Sequence, residues 1–128
     1  MMTDLLPSTR ALGRLADFLS RLRLDMAQEK RAQGELEQLL TTAGIAFERE
    51  KRLSAKDIPD FLVTLDGVRI AVEMKTRARR MAIFRQLERY AEHGEVDALL
   101  LFTGTAMGLP PAINNKPACV VSMGAAWL

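Results

Sequence analysis

The chain has 128 residues, 48% hydrophobic and 27% charged, with a net charge of +2; this is one domain by length, with material for a real core and too apolar to be disordered. A single cysteine, Cys119, excludes an internal disulfide, and with His93 the only histidine zinc centres built from several His or Cys ligands are excluded too. No apolar run approaches 18 residues, which excludes a transmembrane helix, and the N-terminus, with Asp4, lacks a signal-peptide pattern, so the expectation is a cytoplasmic protein.

From about Thr9 to Ala43 no proline intervenes, and only Gly13 and Gly34 weaken a helical pattern. Leu12, Leu15, Leu19, Leu22 and Met26 recur at alternating spacings of three and four. The pattern predicts an N-terminal helical arm over residues 1–32. Gly34 separates the arm from, or kinks it into, a helix over Glu35 to Ala43 that Gly44 caps. The arm's apolar stripe either folds back onto its own core or pairs with the same arm of a second subunit; barely two heptads are short for a free-standing coiled coil. Ala46 to Leu53 reads as a strand, followed by a loop over Ser54 to Asp57.

The next segment runs from Ile58 to Lys75 and turns at Asp66-Gly67, the strongest short-range hairpin signal when flanked by alternating apolar residues. A two-residue turn pairs Leu65 with Val68, Val63 with Ile70, Phe61 with Val72, and Asp60 with Glu73. Counting outward, Asp60 and Glu73 form a non-hydrogen-bonded pair with Cα atoms about 4.5 Å apart. Lys75 lies two residues further on the same face, roughly 6.6 Å along the strand. One face of the hairpin carries Phe61, Val63, Leu65, Val68, Ile70, Val72 and Met74; the other carries Asp60, Leu62, Thr64, Arg69, Ala71, Glu73 and Lys75. Such alternation predicts one face on a core and the other open or lining a site. Opposed carboxylates repel, and a cation between them removes that cost. The competing interpretation is a solvated face with a weak Glu73–Lys75 ion pair. With so few His and Cys, any metal is held mainly by oxygen, which suits Mg²⁺ or Mn²⁺.

Beyond the hairpin, residues 69 to 93 carry Arg69, Lys75, Arg77, Arg79, Arg80, Arg85 and Arg89 against Glu73, Glu88 and Glu92. Clustered arginine beside carboxylates fits phosphate-backbone contacts; otherwise it is an ordinary charged helix surface. A helix is predicted from about Arg79 to His93, stopping at Gly94. Within it Gln86 and Tyr90 share a face at i, i+4, and His93 reads as a C-terminal cation. Asp97 to Thr103 reads as a buried strand, Gly104 to Pro117 as loop, and Ala118 to Met123 as a last strand. Cys119 reads as a buried small hydrophobe; Trp127 has no motif around it.

Pro59-Asp60, a spacer, then Glu73-Met74-Lys75 resembles the PD-(D/E)XK nuclease motif of restriction endonucleases, archaeal Holliday-junction resolvases and RecB-like nuclease domains. The resemblance spans about residues 33 to 103. It implies an α/β fold with a restriction-endonuclease-like core, a mixed central sheet flanked by helices in the order α-β-β-β-α-β-β, occupying residues 33–128 behind the helical arm. It also implies a Mg²⁺-dependent DNA endonuclease, structure-selective or of relaxed sequence specificity, of the small stand-alone kind that phages and mobile elements carry. Asp60, Glu73 and the Met74 carbonyl would bind metal, Lys75 would act on the attacking water or the transition state, and Arg77, Arg79, Arg80, Arg85 and Arg89 would meet DNA. Gln86 and Tyr90 resemble the Gln-x-x-x-Tyr element of RecB-like nucleases. The family draws a third acidic residue from its first core helix. Glu35 is the first choice and Glu37 the second, about 200° apart on a helix; comparison with archaeal resolvases places Gln33 there instead. Glu35 also suits a helix N-terminus electrostatically. The resemblance favours a homodimer through the N-terminal helix. The alternative is a nuclease fold retained as a non-catalytic nucleic-acid-binding or assembly module.

Overall fold

A computed structural model describes residues 5–25, 27–77 and 79–123. Helix α1 (Leu6–Ser20) starts with Pro7 in its first turn, where a missing N–H costs nothing. Helix α2 (Glu29–Ala43) ends at Gly44, whose φ of 71° lets its N–H reach back to the last turn. Strands β1 (Ala46–Arg49), β2 (Phe61–Leu65) and β3 (Val68–Lys75) follow, then helix α3 (Arg80–Ala91), β4 (Ala98–Thr103), β5 (Ala112–Ile113) and β6 (Lys116–Ser122). The six strands form one mixed sheet in the order β1-β2-β3-β4-β6-β5. β1, β2 and β3 are antiparallel neighbours, β3-β4 and β4-β6 are parallel, and β5 closes antiparallel on β6.

The hairpin has the predicted register, with Leu65 opposite Val68, Val63 opposite Ile70 and Phe61 opposite Val72. Asp66 and Gly67 sit at φ 53° and 77°, the left-handed pair that a two-residue turn matched to strand twist demands. Both faces of the sheet are covered. α1 and α2 bury Leu12, Leu15, Leu19, Leu36 and Leu40 against Phe61, Ile70, Val72, Met74, Leu100 and Phe102. α3 buries Ile83, Leu87 and Tyr90 against Leu62, Ala71, Leu99 and Leu101 on the other face. β4 is therefore buried at every position, as a continuous apolar run in a two-sided parallel pair should be.

Several expectations need correction. The helical break does not fall at Gly34, which lies inside α2. It falls at residues 21–28, where Leu24 is driven into the core and the Asp25 carboxylate accepts the Ala27 N–H at 2.9 Å, a local side-chain turn that competes with helix. The boundary placed between residues 32 and 33 thus cuts through α2. α1 is no separate arm, because Ala11, Leu12, Leu15 and Leu19 belong to the same core as the sheet. That stripe is covered by the chain's own strands, so of its two alternatives it folds back onto its own core, and a homodimer through this helix rests on the family resemblance alone; Met26 lies outside the described residues. β1 stops at Arg49 because Glu50 turns to φ 52°. From α2 onward the order is α-β-β-β-α-β-β-β, one strand more than expected. The extra strand, β5, is made by an Asn114-Asn115 turn with both φ positive, inside the segment read as loop. Among the described residues no helix is long and apolar enough to cross a membrane.

Candidate active site

β2 begins one residue after Asp60, and the last pair of its ladder with β3 is Phe61 with Val72, so Asp60 and Glu73 are the next residues beyond that pair. Their carboxylates interact: burial, and then the Glu73 charge, push the Asp60 carboxyl up to about 7. Asp60 Oδ2 accepts the Met74 backbone N–H at 2.7 Å; its Oδ1 accepts no hydrogen bond among the described residues. Because N–H and C=O of one strand residue point to the same side, the Met74 carbonyl also faces the Asp60 side.

Glu73 is only 2% exposed, so of the two alternatives for this face, open or lining a site, openness does not hold at Glu73: Tyr90 of α3 lies over it. The Tyr90 hydroxyl donates to Glu73 Oε1 at 2.9 Å, and Lys75 Nζ lies 3.2 Å from Glu73 Oε2. Burial raises the Glu73 carboxyl, against the opposing pull of the Lys75 charge and the Tyr90 hydrogen bond. Burial works to lower Lys75, but the Glu73 charge and hydrogen bond outweigh it and raise it. Tyr90 is raised as well, by burial first and then by the Glu73 charge, so its hydroxyl remains a donor. Gln86 lies one turn earlier on α3, four residues before Tyr90, and the Tyr90–Glu73 hydrogen bond ties α3 to β3.

Neither proposed third acid reaches this cluster. Glu35 turns back to the Asp25 amide at 3.4 Å. Glu37 and Gln33 both take Arg49, at 3.0 and 3.3 Å. The acid that approaches is Glu29, in the first turn of α2. Its Oε1 accepts the Thr76 N–H at 3.1 Å, and its charge acts on both Asp60 and Lys75. A signal for it existed. Ala32, Gln33, Leu36 and Leu40 are the buried stripe of α2, and Glu29 precedes Ala32 by three residues and Gln33 by four, hence on that face. Assigning a helix boundary at Gly34 concealed it. Thr103 was also missed; its hydroxyl donates to the Lys75 carbonyl at 2.6 Å and ties the ends of β3 and β4 together.

The expected arginine group divides. Arg77, Arg79, Arg80 and Arg85 are exposed and, among the described residues, without an acidic partner. Arg89 instead donates to Asp57 at 2.9 Å, and Arg69 holds Asp97 at 3.0 Å. His93 lies 2.8 Å from the same Asp57, so its role is to fasten the loop before β2 to the end of α3. Hydrogen bonds from His93 and then Arg89 hold the Asp57 carboxyl below its ordinary value. Cys119 is half-buried against the core, and burial pushes its thiol up to about 11. Trp127 lies outside the described residues.

A buried Glu73 and a half-buried Asp60 that repel each other, with an Asp60 oxygen unengaged among the described residues and a strand carbonyl beside them, form an all-oxygen donor set. Such a set fits Mg²⁺ or Mn²⁺, and Mg²⁺ is commonly held by one or two carboxylates with water and phosphate in the remaining positions. Among the described residues no three His, Cys, Asp or Glu side chains form a ready-made cage, so the fit rests on Asp60 and Glu73 as a pair. Comparison with protein-family models finds no match, and comparisons with curated proteins and with solved structures find none either.

Proposed function

We propose that this chain is a Mg²⁺- or Mn²⁺-dependent DNA endonuclease of the PD-(D/E)XK type, hydrolysing phosphodiester bonds with structure-selective or relaxed sequence specificity. The observation that carries this reading is the pairing of a half-buried Asp60 with a buried Glu73 and the Lys75 ammonium 3.2 Å from Glu73, all on one hairpin at the carboxyl end of β3. Asp60, Glu73 and the Met74 carbonyl would hold the cation; when bound, it acidifies a water and neutralises charge on the phosphate oxygens. Lys75 stabilises the negative charge on the phosphate oxygens as a water oxygen bonds to phosphorus, giving up its proton to solvent, and the P–O bond to the leaving oxygen breaks. Tyr90 holds one Glu73 oxygen, and Glu29 orients the Thr76 amide at the rim. Arg77, Arg79, Arg80 and Arg85 supply phosphate contacts. This reading places the protein in the cytoplasm with DNA as its partner.

A second reading has its own observation. Both Glu73 oxygens are already engaged, by Tyr90 and Lys75, as they would be in a binding module that does not hydrolyse. Incubating the protein with plasmid and four-way-junction DNA in Mg²⁺, Mn²⁺ or EDTA separates the two. Metal-dependent cutting that Asp60→Asn abolishes supports the nuclease. Binding with no cutting in either metal supports the module.

A further inference from the structure

The start of α3 and the loop after β4 form an open groove of about 380 Å³ lined by Arg80, Met81, Phe84, Met107 and Gly108, a volume in the range of small-ligand sites. Met81 is 62% exposed, while Phe84 and Met107 are half-buried and anchored on the core beneath α3. The two segments leave the sheet at the adjacent ends of β3 and β4, where Lys75 and Thr103 stand side by side. Phe84 precedes Tyr90 by six residues, about 9 Å along the helix, a span that two or three stacked nucleotides cover at about 3.4 Å each. Arg80 lines the groove, and Arg77, Arg79 and Arg85, its near neighbours in the chain, are exposed like it and like it have no acidic partner among the described residues, whereas Arg69 and Arg89 are paired.

We infer that this groove receives an unpaired nucleobase of a strand whose phosphates lie along these arginines, so that the substrate carries a single-stranded or frayed segment next to the scissile bond. The inference rests on the nuclease reading and adds a substrate class to it. An aromatic ring with flanking thioethers offers a flat, polarizable surface to any base. In a closed duplex the bases are stacked inside and only their edges are presented. A partner helix would need apolar anchors repeating along a longer track, and here the apolar lining is three side chains bordered by charge.

The test is binding in EDTA of a single-stranded oligonucleotide carrying 2-aminopurine, compared with the same sequence as a blunt duplex. The intact protein should bind the single strand more tightly and change the 2-aminopurine fluorescence on stacking. Phe84→Ala should lose on the order of tenfold in single-strand affinity, the scale of one stacked base. Because Phe84 is partly in the core, Met81→Ser at the exposed wall is the second variant, and it should lower the ratio of single-strand to duplex affinity in the same direction. Unaltered fluorescence with the intact protein, or ratios unchanged in both variants while duplex still binds, would overturn the groove assignment and leave the nuclease reading standing. Failure to bind either oligonucleotide would overturn both.

Discussion

Asp60 is the residue on which the chemistry and the stability meet. Its folded carboxyl is raised to about 7 from an ordinary 3.8, and Glu73 is raised in the same sense. An acid raised in the folded state loses nothing below its unfolded value; between about 4 and 7 the unfolded chain gives up the proton while the folded chain keeps it. The folded state binds more protons there, so metal-free stability should fall as pH rises through that window. The lowered carboxylates, Asp57 and Asp97, act only at the acid end, where their contribution is lost as they protonate. Asp60→Asn keeps an acceptor for the Met74 N–H but removes the charge. Thermal unfolding in EDTA at pH 5 and pH 8 should show a flatter pH dependence in the variant and a higher midpoint at pH 8. An identical pH slope in both proteins would refute the account of this pair. Lys75 gives the second prediction at this scale. If it acts in the transition state, Lys75→Ala should lower kcat by about 10²- to 10³-fold, the scale for one preorganised charge donor, with substrate affinity close to that of the intact protein. Lys75→Arg should not restore the rate, because a planar fork does not replace a compact ammonium. Single-turnover cleavage within a factor of two of the intact protein would sink the mechanism.

At the scale of the element, the hairpin and α3 divide the work. The hairpin sets the carboxylates by register, and α3 carries Tyr90 on its buried face and arginines on its exposed one. Replacing Arg77, Arg79 and Arg80 together with Ala should weaken DNA binding and reduce the slope of log K against log salt by up to about 0.9 per lost phosphate contact; a salt titration with an unchanged slope would mark an ordinary solvated surface. Arg89→Ala belongs to a different class. Its partner is Asp57, which also holds His93, so the expected effect is a lowered unfolding midpoint with the salt slope of DNA binding preserved. A loss of slope equal to that of an exposed arginine would show that Arg89 reaches phosphate after all.

For the whole molecule, the position of α1 decides what its leucines are for. Leu15 and Leu19 are fully buried against the sheet, so Leu15→Ala should cost about 2–5 kcal/mol of stability, measured by denaturant unfolding at several protein concentrations. An unfolding midpoint that shifts with concentration would instead point to a stripe shared between subunits. Much of this architecture was already legible in the chain. The hairpin register, the left-handed Asp66-Gly67 turn, the extent of α3 and the burial of β4 follow from period-2 and period-3.6 patterns, which act over a few residues and are written locally. The juxtaposition of Asp60, Glu73 and Lys75 was legible for the same reason: once a two-residue turn sets the register, side chains thirteen residues apart in sequence are neighbours by geometry. What only the tertiary structure decided are the choices between local options of nearly equal strength. Residues 21–28 carry no proline or glycine, and the helix breaks there because Leu24 is drawn into a core that the sequence does not display. That break lets α2 begin at Glu29 and brings this acid, instead of Glu35 or Glu37, to the rim. The closure of α3 over Glu73 and the division of the arginines into paired and free have the same origin, since an ion pair across thirty residues depends on where two elements pack and not on any spacing within either.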